Sequence, residues 1–345
     1  STAAPMLHFT GQFVESNQLE NTDIDFIYNQ TEGTFQSDDI YVNDSRVIEA
    51  NIFCKNGFVH QVDKVIMPLD NMAEIIRTDP DMTIFSSILE RFAAPSYDAT
   101  LRTRYYRSIY GTDYDGTQGD SVWTKRYFSN RSYGSGTTSS SAVPFRTDKN
   151  GNSFGTYLKY DPGWVSYVPE IQNDRQPMME DAAVMFVPTD EAMREWWTNG
   201  VGRDIAEFYG NDKSVEEGIA ATPTSTLTAL LNVNQQVALT ATLPSNFHGV
   251  LNDASEPLGI TKADIVRVYH GSNGLVYLTN KVFSPASYSS VLYPSEVDTL
   301  RFSAMHHIIE ALQYTYYLNS MVSQFILLLP TQDGMLTFID PASYA

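Results

Sequence analysis

The densest set of side chains able to grip a ligand lies between Tyr97 and Tyr167, where 71 residues hold ten tyrosines, two tryptophans and three phenylalanines. The same stretch carries nine Lys or Arg against six Asp, so it is locally basic in a chain of net charge −19. Arg102-Thr103-Arg104-Tyr105-Tyr106-Arg107 and Trp123-Thr124-Lys125-Arg126-Tyr127 interleave cations with rings. Exposed Tyr and Trp give stiff contact surfaces with a polar tip, suited to stacking on sugars or holding a peptide. The candidate ligand- or partner-binding residues are therefore Tyr105, Tyr106, Tyr110, Trp123, Arg126 and Tyr127. The competing reading is internal: the block packs on its own acidic module, with Arg stacked on Tyr. Rings and cations also read single-stranded nucleic acid. The acidic remainder argues against that, because neutralising phosphates requires Lys and Arg.

Other candidate chemistry is sparse. Asp113-Tyr114-Asp115-Gly116-Thr117-Gln118-Gly119-Asp120 places carboxylates in a glycine-bearing loop. It lacks the further oxygen ligands and closing Glu of a calcium loop, so an ordinary turn is expected. Residues 133–141, Tyr-Gly-Ser-Gly-Thr-Thr-Ser-Ser-Ser, read as a flexible loop without the Gly-Lys-Ser/Thr ending of a phosphate cradle. His306 and His307 sit side by side on an expected helix, pointing about 100° apart, which does not suit one metal ion. His60 faces a core or a hydrogen bond, and Asp63 satisfies backbone groups beside it. Cys54 is the one cysteine, which excludes a zinc finger and a disulfide scaffold and suits a buried gap. No triad or carboxylate pair follows from spacing, so no catalytic, cofactor or metal residue is assigned.

The elements that would position these residues emerge from an internal repeat. Residues 56–68 align with 273–285 at an offset of 217, six of the 13 positions being identical. Without a gap the same offset places Phe85-Ser86 on Phe302-Ser303. Residues 186–193 resemble 328–335 at an offset of 142, and the difference, 217 − 142 = 75, measures extra residues in the middle copy. Asn-Gly ahead of each closing run predicts a tight hairpin, and the proline after it stops the strand. Ile84, Phe85, Ile88, Leu89 and Phe92 share a helical face. Thr189 is placed to cap a helix carrying Met193, Trp196 and Trp197. An α+β fold follows, with 42% apolar residues to build its core.

Residues 184–193, Val-Met-Phe-Val-Pro-Thr-Asp-Glu-Ala-Met, resemble the first signature box of fasciclin-like domains, and 56–68 and 273–285 resemble the second. Thr279-Asn280 departs from the acidic pattern kept at Val62-Asp63. The resemblance implies tandem modules, each a β-sandwich-like wedge flanked by helices. Residues 1–69 would be the C-terminal half of a first module, 70–287 a complete module with an insertion at about 97–177, and 288–345 the N-terminal half of a third. The halves are expected from trimmed ends or, alternatively, complete one another within the chain or between neighbours. Tyr269-His270 is similar to a pair linked to integrin adhesion in animal fasciclin domains, but it precedes the closing strand and the role is not transferred.

The resemblance further implies a non-catalytic protein of the cell surface or extracellular space, binding a protein, peptide or glycan. Similar repeats with long insertions occur on surface lipoproteins of Gram-negative bacteria, where they accompany outer-membrane nutrient uptake. A purely structural spacer and a hydrolase with its site in the insertion are the rival readings. Ser1 to Thr10 lack the basic start and apolar run of a signal peptide, and without an initiator Met a processed or trimmed chain is expected. No aliphatic stretch approaches the ~20 residues that span a bilayer.

Overall fold

The computed structural model describes residues 6–129, 158–163, 167–168, 178–179, 182–298 and 300–337. The expected loop at 133–141 lies outside them. The chain opens with β1 (His8–Thr10), α1 (Gly11–Ser16), α2 (Asn21–Ile27), β2 (Ile40–Val42), β3 (Ser45–Cys54) and β4 (Gly57–Val62). These strands form an antiparallel sheet in the order β1-β2-β3-β4. Then come α3 (Met72–Thr78), α4 (Thr83–Glu90), β5 (Ala93–Tyr97), α5 (Ala99–Tyr110) and β6 (Trp123–Tyr127). β5 and β6 pair antiparallel, as do the two-residue strands β7 (Tyr167–Val168) and β8 (Met178–Met179).

The second four-stranded sheet is the centre of the molecule. It joins β9 (Ala183–Pro188), β10 (Gln235–Gln236), β11 (Ile265–Gly271) and β12 (Gly274–Thr279) in the order β10-β9-β12-β11. β9 and β12 run parallel and every residue of both is buried. A strand covered on both faces needs an unbroken apolar run, which Ala-Val-Met-Phe-Val supplies. Between β9 and β10 lie α6 (Asp190–Thr198), α7 (Arg203–Tyr209), α8 (Val215–Ala221) and α9 (Thr224–Val233). Thr189 caps α6 as expected, its hydroxyl accepting from Ala192 N at 3.1 Å.

Alternation along the strands divides the core in two. Met185, Val187, Val276 and Leu278 pack with α3, α4, α6 and α9. Val184, Phe186, Leu275 and Tyr277 face the other way, against residues 7–41 and the turns of 239–260. Each fully buried large side chain contributes roughly 1.5–3 kcal/mol, so residues 7–41 are held firmly to the central sheet across the expected boundary at residue 69. The expected insertion is also less separate than its composition suggests. Tyr127, Phe128, Leu158 and Tyr160 belong to the helix-side core. Asn273 donates to the Pro162 carbonyl at 2.9 Å. Between β10 and β11 the chain makes 3₁₀ turns at Thr240–Thr242 and Pro244–Gly249.

Beyond β12 the chain forms α10 (Tyr293–Val297), α11 (Ser303–Ala311), α12 (Thr315–Leu318) and α13 (Gln332–Thr337). Here the structure corrects one equivalence. Asp190 accepts from Ile84 N at 2.8 Å and from the Thr83 hydroxyl, and Asp190 N donates to the Asp81 carbonyl at 2.8 Å. Gln332 repeats this set: it accepts from Ala304 N at 3.1 Å and Ser303 Oγ at 3.0 Å, and its own N donates to the Arg301 carbonyl at 2.6 Å. Thr83 therefore corresponds to Ser303, and Met82 to Phe302, both preceding the first helical turn. The ungapped match of Phe85 with Phe302 is three residues out of step.

Candidate partner-binding surface

The aromatic block is anchored through its hairpin. β5 and β6 are in register from Ala93↔Tyr127 to Tyr97↔Trp123, so the ends of β6 differ in environment. Tyr127 enters the core at 2% exposure, and its hydroxyl donates to Glu90 at 2.7 Å. Burial, reinforced by that carboxylate, pushes the Tyr127 pKa far upward. Arg126 is pinned 2.8 Å from Asp161, a buried carboxyl whose pKa burial raises against the pull of the guanidinium. Tyr127 and Arg126 thus hold the block to its module, Tyr127 buried and Arg126 partly exposed beside its ion pair. At the free end, Trp123 is 54% exposed, with its ring centroid 5.7 Å from that of Tyr97.

α5 carries the remaining candidates. Asp98 caps it, accepting from Leu101 N at 2.7 Å, and Asp98 N donates to the Val122 carbonyl at 2.9 Å. Trp123 thus lies near the start of α5, whereas Tyr110 closes it about 18 Å along. Leu101, Tyr105 and Ile109 recur every fourth residue and are all exposed, Tyr105 at 54%. Tyr106, half-buried beside this stripe, is stacked between Tyr110 at 6.1 Å and Tyr114 at 6.4 Å. Of the six candidates, then, Tyr105, Tyr110 and Trp123 are exposed, Tyr106 and Arg126 are partly so, and Tyr127 is not.

The Asp113–Asp120 loop is a turn organised by a residue that spacing did not single out. Arg102 donates to the carbonyls of Gly116, Gln118, Gly119 and Asp120 at 2.9–3.1 Å and to the Tyr114 hydroxyl at 3.0 Å. Its guanidinium lies 5.7 Å from the Tyr106 ring centroid. The loop's inward carbonyls thus serve a guanidinium, and Asp115 spends its carboxylate on Thr117 N at 2.8 Å. That bonding to Thr117 holds the Asp115 pKa below the usual carboxylate range. Gly119 is required here, because a Cβ would stand 2.2 Å from the Tyr106 ring.

The remaining sequence candidates hold structural posts. His60 Nδ1 accepts from Asn51 N at 3.3 Å, and Asp63 accepts from Arg46 N at 2.9 Å. His306 and His307 both lie against Glu310, at 3.5 and 3.8 Å. His270 approaches the Ile27 carbonyl at 2.9 Å and stacks on Tyr28, and burial lowers its pKa. Tyr269 donates to Asp79. Cys54 fills no buried gap; it is half-exposed at the tip of β3. Among the described residues no three His, Cys, Asp or Glu are grouped to hold a metal ion, and no helix is long and apolar enough to cross a membrane.

Residues 5–68 match the family model of the Fasciclin domain. That stretch is similar to a Fasciclin domain. The match takes in the first sheet and its hairpin; residues beyond 68 lie outside it. No curated protein matches the chain. Fasciclin domains are generally non-enzymatic, mediate protein or ligand binding, and are typical of extracellular or surface proteins, which suggests a non-catalytic adhesion or binding role here.

Proposed function

We propose that this fasciclin-like protein is a tandem-module binding protein of the cell surface or extracellular space, gripping a glycan or peptide with the exposed face of α5. The observation that carries the reading is the Leu101–Tyr105–Ile109 stripe, flanked by Tyr110 and left open to water on a rigid, capped helix. Ring faces and short aliphatics at helical spacing offer an apolar platform, while Arg104 and Arg107 on the same helix supply cations for a carboxylate or hydroxyl-rich ligand. The module organisation is that of residues 1–69, 70–287 and 288–345, with α5 in the enlargement of the middle copy. A narrower form makes the protein an accessory lipoprotein of outer-membrane nutrient uptake; the aromatic enlargement on a fasciclin-like frame is its support.

Removing residues 97–177 outright is an unsuitable test, since it would strip Tyr127, Phe128, Leu158 and Tyr160 from the core. The combined Tyr105→Ala, Ile109→Ala and Tyr110→Ala variant is suitable, all three being exposed. Applied to glycan and peptide arrays, it should retain the parent's melting temperature and lose at least tenfold in binding to whatever the parent captures. Equal capture by both proteins would remove α5 from the recognition surface.

A further inference from the structure

Helix α5 carries three arginines, and the fold employs one of them. Arg102 is occupied by the carbonyls of the Asp113–Asp120 loop. Arg104 and Arg107 are exposed, and neither guanidinium has a hydrogen-bond or ion-pair partner among the described residues. The chain has 41 acidic residues against 22 basic ones, so two guanidiniums without a carboxylate are the exception. Three residues apart on a helix, they are neighbours and repel one another. A bound anion would relieve that repulsion.

The two arginines border a cleft. Ala99, Thr103, Arg104 and Arg107 line an open depression of about 510 Å³. Ala99, Thr103 and Arg107 recur every fourth residue and form one line along α5, with Arg104 beside it. Thr103 is half-buried, and its hydroxyl has no hydrogen-bond partner among the described residues. Tyr110, three residues beyond Arg107, ends the line with an exposed ring stacked on Tyr106 at 6.1 Å. This line is not the Leu101–Tyr105–Ile109 stripe: Thr103 and Arg107 each stand two residues from Tyr105, about 160° around the helix.

The three kinds of group fit one class of ligand. A guanidinium fork matches a carboxylate, a threonine hydroxyl both gives and accepts hydrogen bonds from sugar hydroxyls, and a tyrosine face covers the apolar face of a sugar ring. We propose that the cleft binds a sugar acid, its carboxylate held by Arg104 and Arg107, a hydroxyl by Thr103 and its ring by Tyr110. This inference rests on α5 being the recognition helix and narrows its ligand to an anionic glycan. An acidic peptide would satisfy the guanidiniums and leave Thr103 and Tyr110 without a counterpart. Nine Lys or Arg against six Asp between Tyr97 and Tyr167, in a chain of net charge −19, make this region attractive to anions that the rest of the surface repels.

The test titrates the 345-residue protein calorimetrically with tetramers of galacturonate, mannuronate and glucuronate, each beside its neutral counterpart, and with a tetraglutamate peptide. At least one acid tetramer should bind about tenfold or more tightly than its neutral counterpart and than the peptide, and lose most of that advantage when salt rises from about 50 to about 500 mM. The double variant Arg104→Gln, Arg107→Gln should bind it about a hundredfold more weakly, roughly tenfold for each charged hydrogen-bonding group removed, with melting unchanged because neither side chain has a partner to lose. Lys at both positions should restore part of the affinity, the charge without the fork. Acid tetramers that bind no better than neutral ones, tighter binding of the peptide, or an unaltered double Gln variant would each overturn the proposal. The pair Tyr105→Ala, Ile109→Ala, on the far side of α5, separates the two readings on arrays of neutral glycans and peptides. Loss of capture there with an indifferent Gln variant keeps α5 as the recognition helix and removes the sugar acid; loss in neither removes both.

Discussion

The hairpins β3–β4 and β11–β12 have the same two-residue turn, the same register at the tip and a glycine at the same place, yet one is exposed on nearly every residue of β4 and the other buried on every residue of β12. Local sequence therefore dictates the turn, and tertiary surroundings dictate its weight in the fold. Asn273 shows the difference in one residue. Its carboxamide accepts from Met72 N at 2.9 Å and donates to the Pro162 carbonyl at 2.9 Å, joining the hairpin to α3 and to the far end of the enlargement. Asn56, at the same place in the other turn, is exposed. An isolated two-stranded hairpin is marginal in water, so β3–β4 relies on β2 and on the attachment of residues 7–41 to the central sheet.

The largest expected effect contrasts the two glycines. A Cβ on Gly274 would stand 1.9 Å from the Ala183 carbonyl oxygen, backbone against backbone, and no rotamer can relieve it. Gly274→Ala must part β12 from β9, so a loss above about 4 kcal/mol is expected. Gly57→Ala meets nothing within 4 Å, and placing an L residue at its positive φ costs about 1–3 kcal/mol. Urea unfolding followed by circular dichroism separates the two. Similar losses at both positions would mean that the first hairpin is packed as tightly as the second.

Next in size is a pH effect at the joint between the buried body and the exposed C-terminal half. Glu296 on α10 has its pKa raised to about 7, first by burial and then by the neighbouring carboxylates Asp253 and Glu310. Asp253 belongs to the body, where it accepts from Ala286 N and Ser287 N, and Glu310 lies on α11. The folded state holds the Glu296 proton more tightly than the unfolded chain does. Its contribution to stability is therefore present below the ordinary carboxylate range and is lost as pH rises through about 7. Across that window the wild type should lose up to about 1.4 kcal/mol per pH unit relative to Glu296→Gln. Parallel stability profiles for the two proteins would detach α11 from this joint.

Much of the framework was legible in the sequence, because it rests on local chemistry. Asn-Gly turns, strand-ending prolines, the Thr189 cap and the continuous run of β9 all act within a few residues. What stayed hidden depends on contacts made at long separation. Tyr127 and Trp123 belong to one five-residue strand of alternating character. Only the position of Glu90 and Asp161 decides that the Tyr127 end goes inward. Arg102 looked like one cation among several, although it gathers the carbonyls of a loop 14 to 18 residues away. The three-residue correction at α11 has the same origin: identity of Phe-Ser outweighed a hydrogen-bond pattern that sequence does not display.

The smallest expected effect tests whether the C-terminal half repeats the centre in energy as well as in geometry. Asp190 offers a charged carboxylate to Ile84 N at 2.8 Å and to the Thr83 hydroxyl. Gln332 offers a neutral amide oxygen to Ala304 N at 3.1 Å and Ser303 Oγ at 3.0 Å. Charge-assisted hydrogen bonds are about twice as strong as neutral ones, and α4 is buried where α11 is largely exposed. Asp190→Ala should therefore cost about 1–3 kcal/mol of global stability. Gln332→Ala should cost about 0.5 kcal/mol, the low end of a net hydrogen bond, and that loss should appear as faster amide exchange in α11 and α13 with the global melt unchanged. A matching drop in the global melt would show that the C-terminal half unfolds together with the central sheet, and the contrast between open and buried copies would then describe exposure alone.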